Sequence, residues 1–212
     1  CPDPPDTTEC GSHQIEVNGN CECEEGYHWN EDQTKCLMDT TSHNFSWEID
    51  TIGIEGSYLR DVTIVDENNI WVVGNIETDS GEYNAAHWDG EAWDLIKIQP
   101  QGYVQPIQCI YYFSENDIWF GQGGLPIQWN GIEYYRYTPA NSTHLGQPTI
   151  ESIWGTSSSN MYFVGGSGSI VHYDGNEFVQ MESRTNVDLK DVDGTPDGEH
   201  VFAVGWKQSG EN

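Results

Sequence analysis

The chain has 212 residues, is 36% hydrophobic, and sets 35 acidic side chains against 7 Lys plus Arg for a formal net charge of −28. That balance argues against nucleic acid as a partner, because binding it needs phosphate neutralised by clustered Lys and Arg. No apolar run approaches the roughly 18 residues of a membrane-crossing helix, and the nine Trp, eleven Tyr and 23 Gly suit sheet built from many short strands.

The length accommodates one sizeable domain, or a domain with a small module beside it. The acidity reads first as solubility and self-repulsion; cation binding or docking to a basic partner is the sharper alternative.

In chain order, the first element is a cysteine cluster. Five of the six cysteines fall in the first 36 residues, namely Cys1, Cys10, Cys21, Cys23 and Cys36, among turn residues and with almost no aliphatic core. This predicts a stapled module over 1–43 in an oxidising compartment. Zinc fits less well, since the C-x-C lacks the paired C-x₂-C spacing. The stretch CECEEGYHWNEDQTKC at 21–36 resembles the ending of EGF-like modules, but only Cys1 and Cys10 stand where that family has three cysteines. Two readings handle the odd count. In one, Cys1 is the lipid-modified first residue of a mature bacterial lipoprotein, and Cys10, Cys21, Cys23 and Cys36 form two disulfides. In the other, Cys1 belongs to an EGF-like bridge whose remaining residues lie upstream.

From residue 44 onward the chain repeats itself. An aliphatic-x-polar-aliphatic run occurs as LRDV at 59–62, IQCI at 107–110, IESI at 150–153 and LKDV at 189–192. Turn formers follow (DENN, SEND, SSSN, TPDG), then an aliphatic–aromatic pair whose aromatic is Trp71, Trp119, Tyr162 or Phe202, then Gly74, Gly121, Gly165 or Gly205. The aromatics are spaced by 48, 43 and 40 residues. A last anchor, HWDGEAW at 87–93, returns as QWNGIEY at 128–134 and HYDGNEF at 172–178. In it Asp89-Gly90, Asn130-Gly131 and Asp174-Gly175 suit a two-residue hairpin turn with the aromatics on the flanking strands.

Four short antiparallel strands every forty-odd residues predict an all-β chain of β-propeller blades. The blades span about 59–98, 107–138 and 150–182, with an incomplete one at 189–212. NFSWEIDTI at 44–52 aligns with GEAWDLIKI at 90–98 and is expected to form an outer closing strand, so that the propeller portion runs over 44–212. An unfinished blade exposes an edge, so these residues are expected to be a fragment of a larger ring or to be completed by another copy.

The pattern ENNIWVVG…AAHWDGEAW resembles the [IV]-W-x-V-G…H-W-[DN]-G-x-x-W repeat propellers of secreted and lipid-anchored bacterial surface proteins of Bacteroidetes and Ignavibacteria type. The likeness covers about residues 44–210 and implies fold, not function. Copy two departs from it, with Phe120-Gly121 in place of Val72-Val73 and Gln128 in place of the histidine.

Candidate chemistry is sparse. His87 and His172 occupy equivalent positions on different blades, too far apart to share a metal, and are read as local caps. Asp61, Cys109, Ser152 and Asp191 share one innermost-strand position and are the candidates to line a central channel; Cys109 also reads as a small buried apolar residue. DVDGTPDGE at 191–199 has the look of a calcium loop but lacks the EF-hand pattern, and the repeat register makes it a turn. Arg60, Arg136 and Arg184 fall at unlike blade positions, which does not suit the arginine cluster of sialidase propellers. Asn44 and Asn141 head glycosylation sequons.

The expectation is an extracellular or cell-surface protein, without catalysis or cofactor, that binds or displays a protein or glycan. One rival is a carbohydrate-active enzyme with catalytic residues partly outside these residues. The other is a filament subunit completed by strand addition.

Overall fold

The computed structural model describes residues 10–30, 32–38, 47–100, 102–138 and 148–206. Cys1, Asn44 and Asn141 therefore lie outside the described residues. The chain divides into two compact units at Asp50/Thr51, a few residues past the expected boundary.

The first unit consists of two hairpins. β1 (Gln14–Val17) pairs with β2 (Asn20–Cys23), and β3 (Tyr27–Trp29) pairs with β4 (Cys36–Met38). Asn18 and Gly19 join β1 to β2 with φ of 53° and 82°, the doubly left-handed geometry that lets a two-residue loop follow the strand twist. Among the described residues of this unit, only Cys36 is buried. With so little apolar core, Cys10–Cys21 and Cys23–Cys36 hold the unit together.

The second unit is a series of antiparallel meanders. The first sheet is β5 (Tyr58–Asp66), β6 (Asn69–Thr78), β7 (Gly81–Trp88) and β8 (Trp93–Ile96). The second is β9 (Cys109–Ser114), β10 (Asp117–Gln122), β11 (Leu125–Trp129) and β12 (Tyr134–Arg136). The third is β13 (Ile150–Ser157), β14 (Asn160–Gly165), β15 (Ile170–Tyr173) and β16 (Phe178–Met181). The fourth holds β17 (Asp188–Gly194) and β18 (Val201–Trp206) among the described residues. The inner strands β5, β9, β13 and β17 pack in sequence, as blades of a β-propeller do. Trp71, Trp119, Tyr162 and Phe202 occupy one register position, opposite Thr63, Tyr111, Trp154 and Asp193 respectively.

Each sheet buries one face against the next, and the three junctions repeat the same arrangement. At the first, Trp71, Val73 and Ala85 point forward onto Ile107, Ile110 and Phe120. At the second, Tyr111 and Trp119 meet Ile150, Ile153, Met161 and Phe163. At the third, Trp154, Tyr162 and Val164 meet Leu189, Val192 and Ala203. Aromatic contacts add specificity: Trp119 stacks on Tyr137 at 5.3 Å and tilts against Tyr173 at 5.5 Å.

The recurring glycine has a steric cause. A Cβ at Gly74, Gly165 or Gly205 would collide with the backbone carbonyl of Tyr58, Thr149 or Asp188, where the inner strand crosses the second. At Gly121 it would meet the Cys109 sulfur at 2.5 Å.

Two expectations change. The outer hairpin turn is longer than two residues: Trp88 pairs with Trp93, and Asp89–Ala92 forms the loop. Gly90 takes φ of 96°, while the Asp89 carboxylate accepts the N–H groups of Glu91 and Ala92 at 2.8 Å each. Asn130 and Asp174 do the same in the other copies. Residues 47–52, the described part of the expected closing strand, form no strand. A strand needs a ladder partner, and the third strand that would supply it in the fourth sheet is not among the described residues.

Candidate functional site

Where the inner strands run side by side, they line a polar cleft of about 460 Å³. Its construction follows from the LRDV-type anchor. Leu59 and Val62 have two residues between them yet share a face, which strict alternation forbids, so the strand bulges at Arg60. The same shift falls between Ile150 and Ser152 and between Leu189 and Asp191. Each bulge offers two consecutive polar side chains to the cleft: Arg60 with Asp61, Glu151 with Ser152, Lys190 with Asp191.

Of the four channel candidates, three line the cleft. Asp61 accepts the Val62 N–H at 2.8 Å through Oδ1 and the Ile110 N–H of the next blade at 2.9 Å through Oδ2. Burial pushes its pKa above the usual carboxylate value; the two N–H groups counter that, and the charge of Asp191 adds to it. Ser152 donates to Asp191 Oδ1 at 2.9 Å and accepts the Val192 N–H at 3.4 Å. Thus the same position reaches the same backbone N–H of the following blade, by carboxylate in one copy and hydroxyl in another. Cys109 does not line the cleft. It is buried in the second junction, and burial drives its thiol pKa far up.

The remaining lining is charged and aromatic. Lys190 Nζ lies 3.3 Å from Glu151 and 3.6 Å from Asp188. Arg60 sits over the Tyr58 ring at 4.8 Å. Tyr111 donates its hydroxyl to the Gly155 carbonyl at 2.8 Å, and the Trp154 ring covers Gly194 at the equivalent point one blade on. The lining holds four carboxylates (Asp61, Glu151, Asp191, Asp193) against two cations (Arg60, Lys190). Sequence reasoning passed over the neighbours Glu151 and Lys190; the signal was the three-residue spacing of the aliphatic pair.

The signature histidines turn inward to structure. His87 Nε2 lies 3.0 Å from Asn69 Oδ1, which also accepts the Trp71 indole N–H at 3.2 Å, and the two rings stand 4.5 Å apart. His172 engages Asn160 Oδ1 at 2.7 Å and lies tilted against the Tyr162 ring at 4.6 Å. In copy two, Asp117 Oδ1 accepts both Trp119 Nε1 and Gln128 Nε2 at 2.9 Å. Gln128 does the work of the histidine, so the position needs a hydrogen-bonding group facing the strand before it, not an imidazole.

The other candidates stay apart. Arg136 Nη1 reaches the Tyr103 hydroxyl at 3.4 Å, and the exposed Arg184 pairs loosely with Glu182 at 3.9 Å. In 191–199, Asp193 caps the Gly194 N–H, while Asp197 takes the Thr195 hydroxyl and the Glu199 N–H, as a turn requires. Among the described residues, no three His, Cys, Asp or Glu side chains converge as metal ligands.

Fold and cleft together define a β-propeller repeat chain with a polar inner-strand cleft. Solved structures of the same architecture include YCF48 bound to a D1 peptide, at TM-score 0.51 and 15% identity over 76% of this chain and 50% of that one. YCF48 from Cyanidioschyzon merolae matches at TM-score 0.50 and 13% identity, over 69% of this chain and 48% of that one. The extracellular domain of BT4673 from B. thetaiotaomicron matches at 0.50 and 12%, over 90% and 24% respectively. This chain thus spans half or less of the length of these structures, and identities this low establish likeness of fold alone. No protein-family profile and no curated protein matches the sequence.

Proposed function

We propose that this chain is an extracellular binding or display protein, without catalytic chemistry of its own, that holds a protein partner against the inner-strand cleft. The observation that carries this is the cleft: three of its four blades bring charged side chains of both signs, with carboxylates in excess, to one concave surface on a rigid scaffold. The histidines and aromatics that a catalytic reading would recruit are occupied within the blades. The two disulfides suit an oxidising compartment. YCF48, of similar fold, is a propeller seen with a peptide. With a net charge of −28 on the chain, the partner segment is basic, drawn in by long-range attraction.

Fluorescence anisotropy with labelled peptides graded from acidic to basic tests this. Basic peptides bind, and converting Asp191 and Asp193 to Lys weakens binding about tenfold, on the order of 1.4 kcal/mol. Equal binding of acidic and basic peptides, or cleavage of a labelled oligosaccharide by the purified chain, would overturn it.

A further inference from the structure

The three blade junctions share one arrangement, and the chain carries both halves of another that it does not make with itself. By register, the forward face of the fourth sheet is Phe202 and Val204, the counterparts of Tyr162 and Val164 in the third. Those counterparts pack on the next blade, whereas Phe202 and Val204 are 70% and 60% exposed, with Trp206 beside them at 59%. The rear face of the first sheet is Leu59, Val62 and Ile64, the counterparts of Ile107, Ile110 and Tyr112. In the second sheet those positions receive Trp71 and Val73 of the sheet before; in the first, Leu59, Val62 and Ile64 are 46%, 53% and 69% exposed. Ile52 covers only the outer part of this rear face, around Val72, Ile76 and Ala86.

We propose that these two faces dock on one another between two copies of this chain, the forward face of the fourth sheet of one copy seating on the rear face of the first sheet of the other. What fits a rear face of this repeat is shown three times within the chain, and the chain itself presents the matching forward face. Within one copy the two faces do not meet, since the inner-strand and β18 side chains of both remain largely exposed. The contact is head-to-tail: each copy uses two different patches. A net charge of −28 on each copy opposes it, so added salt strengthens the association by screening.

Sedimentation velocity on the full 212-residue chain, across concentration and at low and high sodium chloride, reads this directly. The expected result is concentration-dependent association that grows with salt. Phe202→Asp and Ile64→Asp change exposed positions, and each variant sediments as a monomer under conditions where the wild type associates. Mixed together, they form one-to-one dimers and nothing larger, because each supplies the face the other has lost. If either variant loses its folded circular dichroism signal, Val204→Ser and Val62→Ser replace them on the same faces. A wild type that stays monomeric at every concentration and salt overturns the proposal and leaves the faces to other sheets. Association that survives both substitutions puts the contact at the outer edge of β18 and overturns it equally.

Discussion

Asp61 on β5 accepts the backbone N–H of Ile110 on β9 at 2.9 Å, joining two inner strands across 49 positions of sequence. Replacing Asp61 with Leu leaves that partly buried N–H without an acceptor and is expected to lower stability by about 1–3 kcal/mol. Asp61→Asn keeps an oxygen in place and costs less. Urea denaturation of the two variants checks the order.

The same carboxylate gives a pH signature. Burial raises its folded pKa, so the folded chain binds that proton more tightly than the unfolded chain. Acidification toward the ordinary Asp value of 3.8 therefore stabilises the wild type relative to Asp61→Asn. Asp89 and Asp174 behave in the opposite sense. The N–H groups of Ala92 and Glu91, and of Glu177 and Asn176, lower their pKa values. Their contribution is present above the unfolded value and is lost as pH falls through the lowered folded one. Denaturation midpoints between about pH 7 and pH 3 for Asp61→Asn and Asp89→Asn should diverge with opposite slopes.

The crossing glycines should tolerate no side chain. Gly165→Ala drives a methyl group into the Thr149 carbonyl and is expected to cost about 1–3 kcal/mol or more, because backbone has little room to yield. At Gly19, where φ is 82° and the space is open, Ala meets only the left-handed conformational penalty, about 1 kcal/mol. Thermal melts of Gly165→Ala should show loss of the blades; those of Gly19→Ala should leave them unchanged.

His172→Gln should fold and melt nearly as the wild type, within about 1 kcal/mol, since Gln128 already fills this role in the second blade. His172→Leu leaves Asn160 Oδ1 without its donor and should cost about 1–3 kcal/mol. Equal losses for Gln and Leu would show that the imidazole ring itself is needed.

Reduction should affect the two units differently. The bridges Cys10–Cys21 and Cys23–Cys36 close short loops, each worth about 3 kcal/mol by the chain-entropy estimate, and the unit has almost no core to replace them. Hydrogen exchange under dithiothreitol should show residues 10–38 losing protection while Trp119 and its neighbours keep theirs.

The blade pattern was legible because each unit repeats a period-2 alternation, a turn and an aromatic at matching register. The pairing of Trp71, Trp119, Tyr162 and Phe202 with equivalent inner-strand positions follows from that spacing. The cleft was only half legible. Asp61, Ser152 and Asp191 were visible as a shared position, but Cys109 carries the same alignment and points into a junction. Sequence spacing does not say which member of a bulge faces solvent. The turn was misjudged because Asp89 spends its carboxylate on two backbone N–H groups, a side-chain contact that a dipeptide rule does not include. The closing strand is not formed over residues 47–52, and the strand it was expected to pair with is not among the described residues.

Since the main contacts between the described blades run between sequence neighbours, cohesion here is largely a sum of links rather than a property of one centre. Such an array comes apart blade by blade like a coat unbuttoned: the second and third blades, gripped on both sides by described sheets, hold longest when denaturant or heat begins to pull.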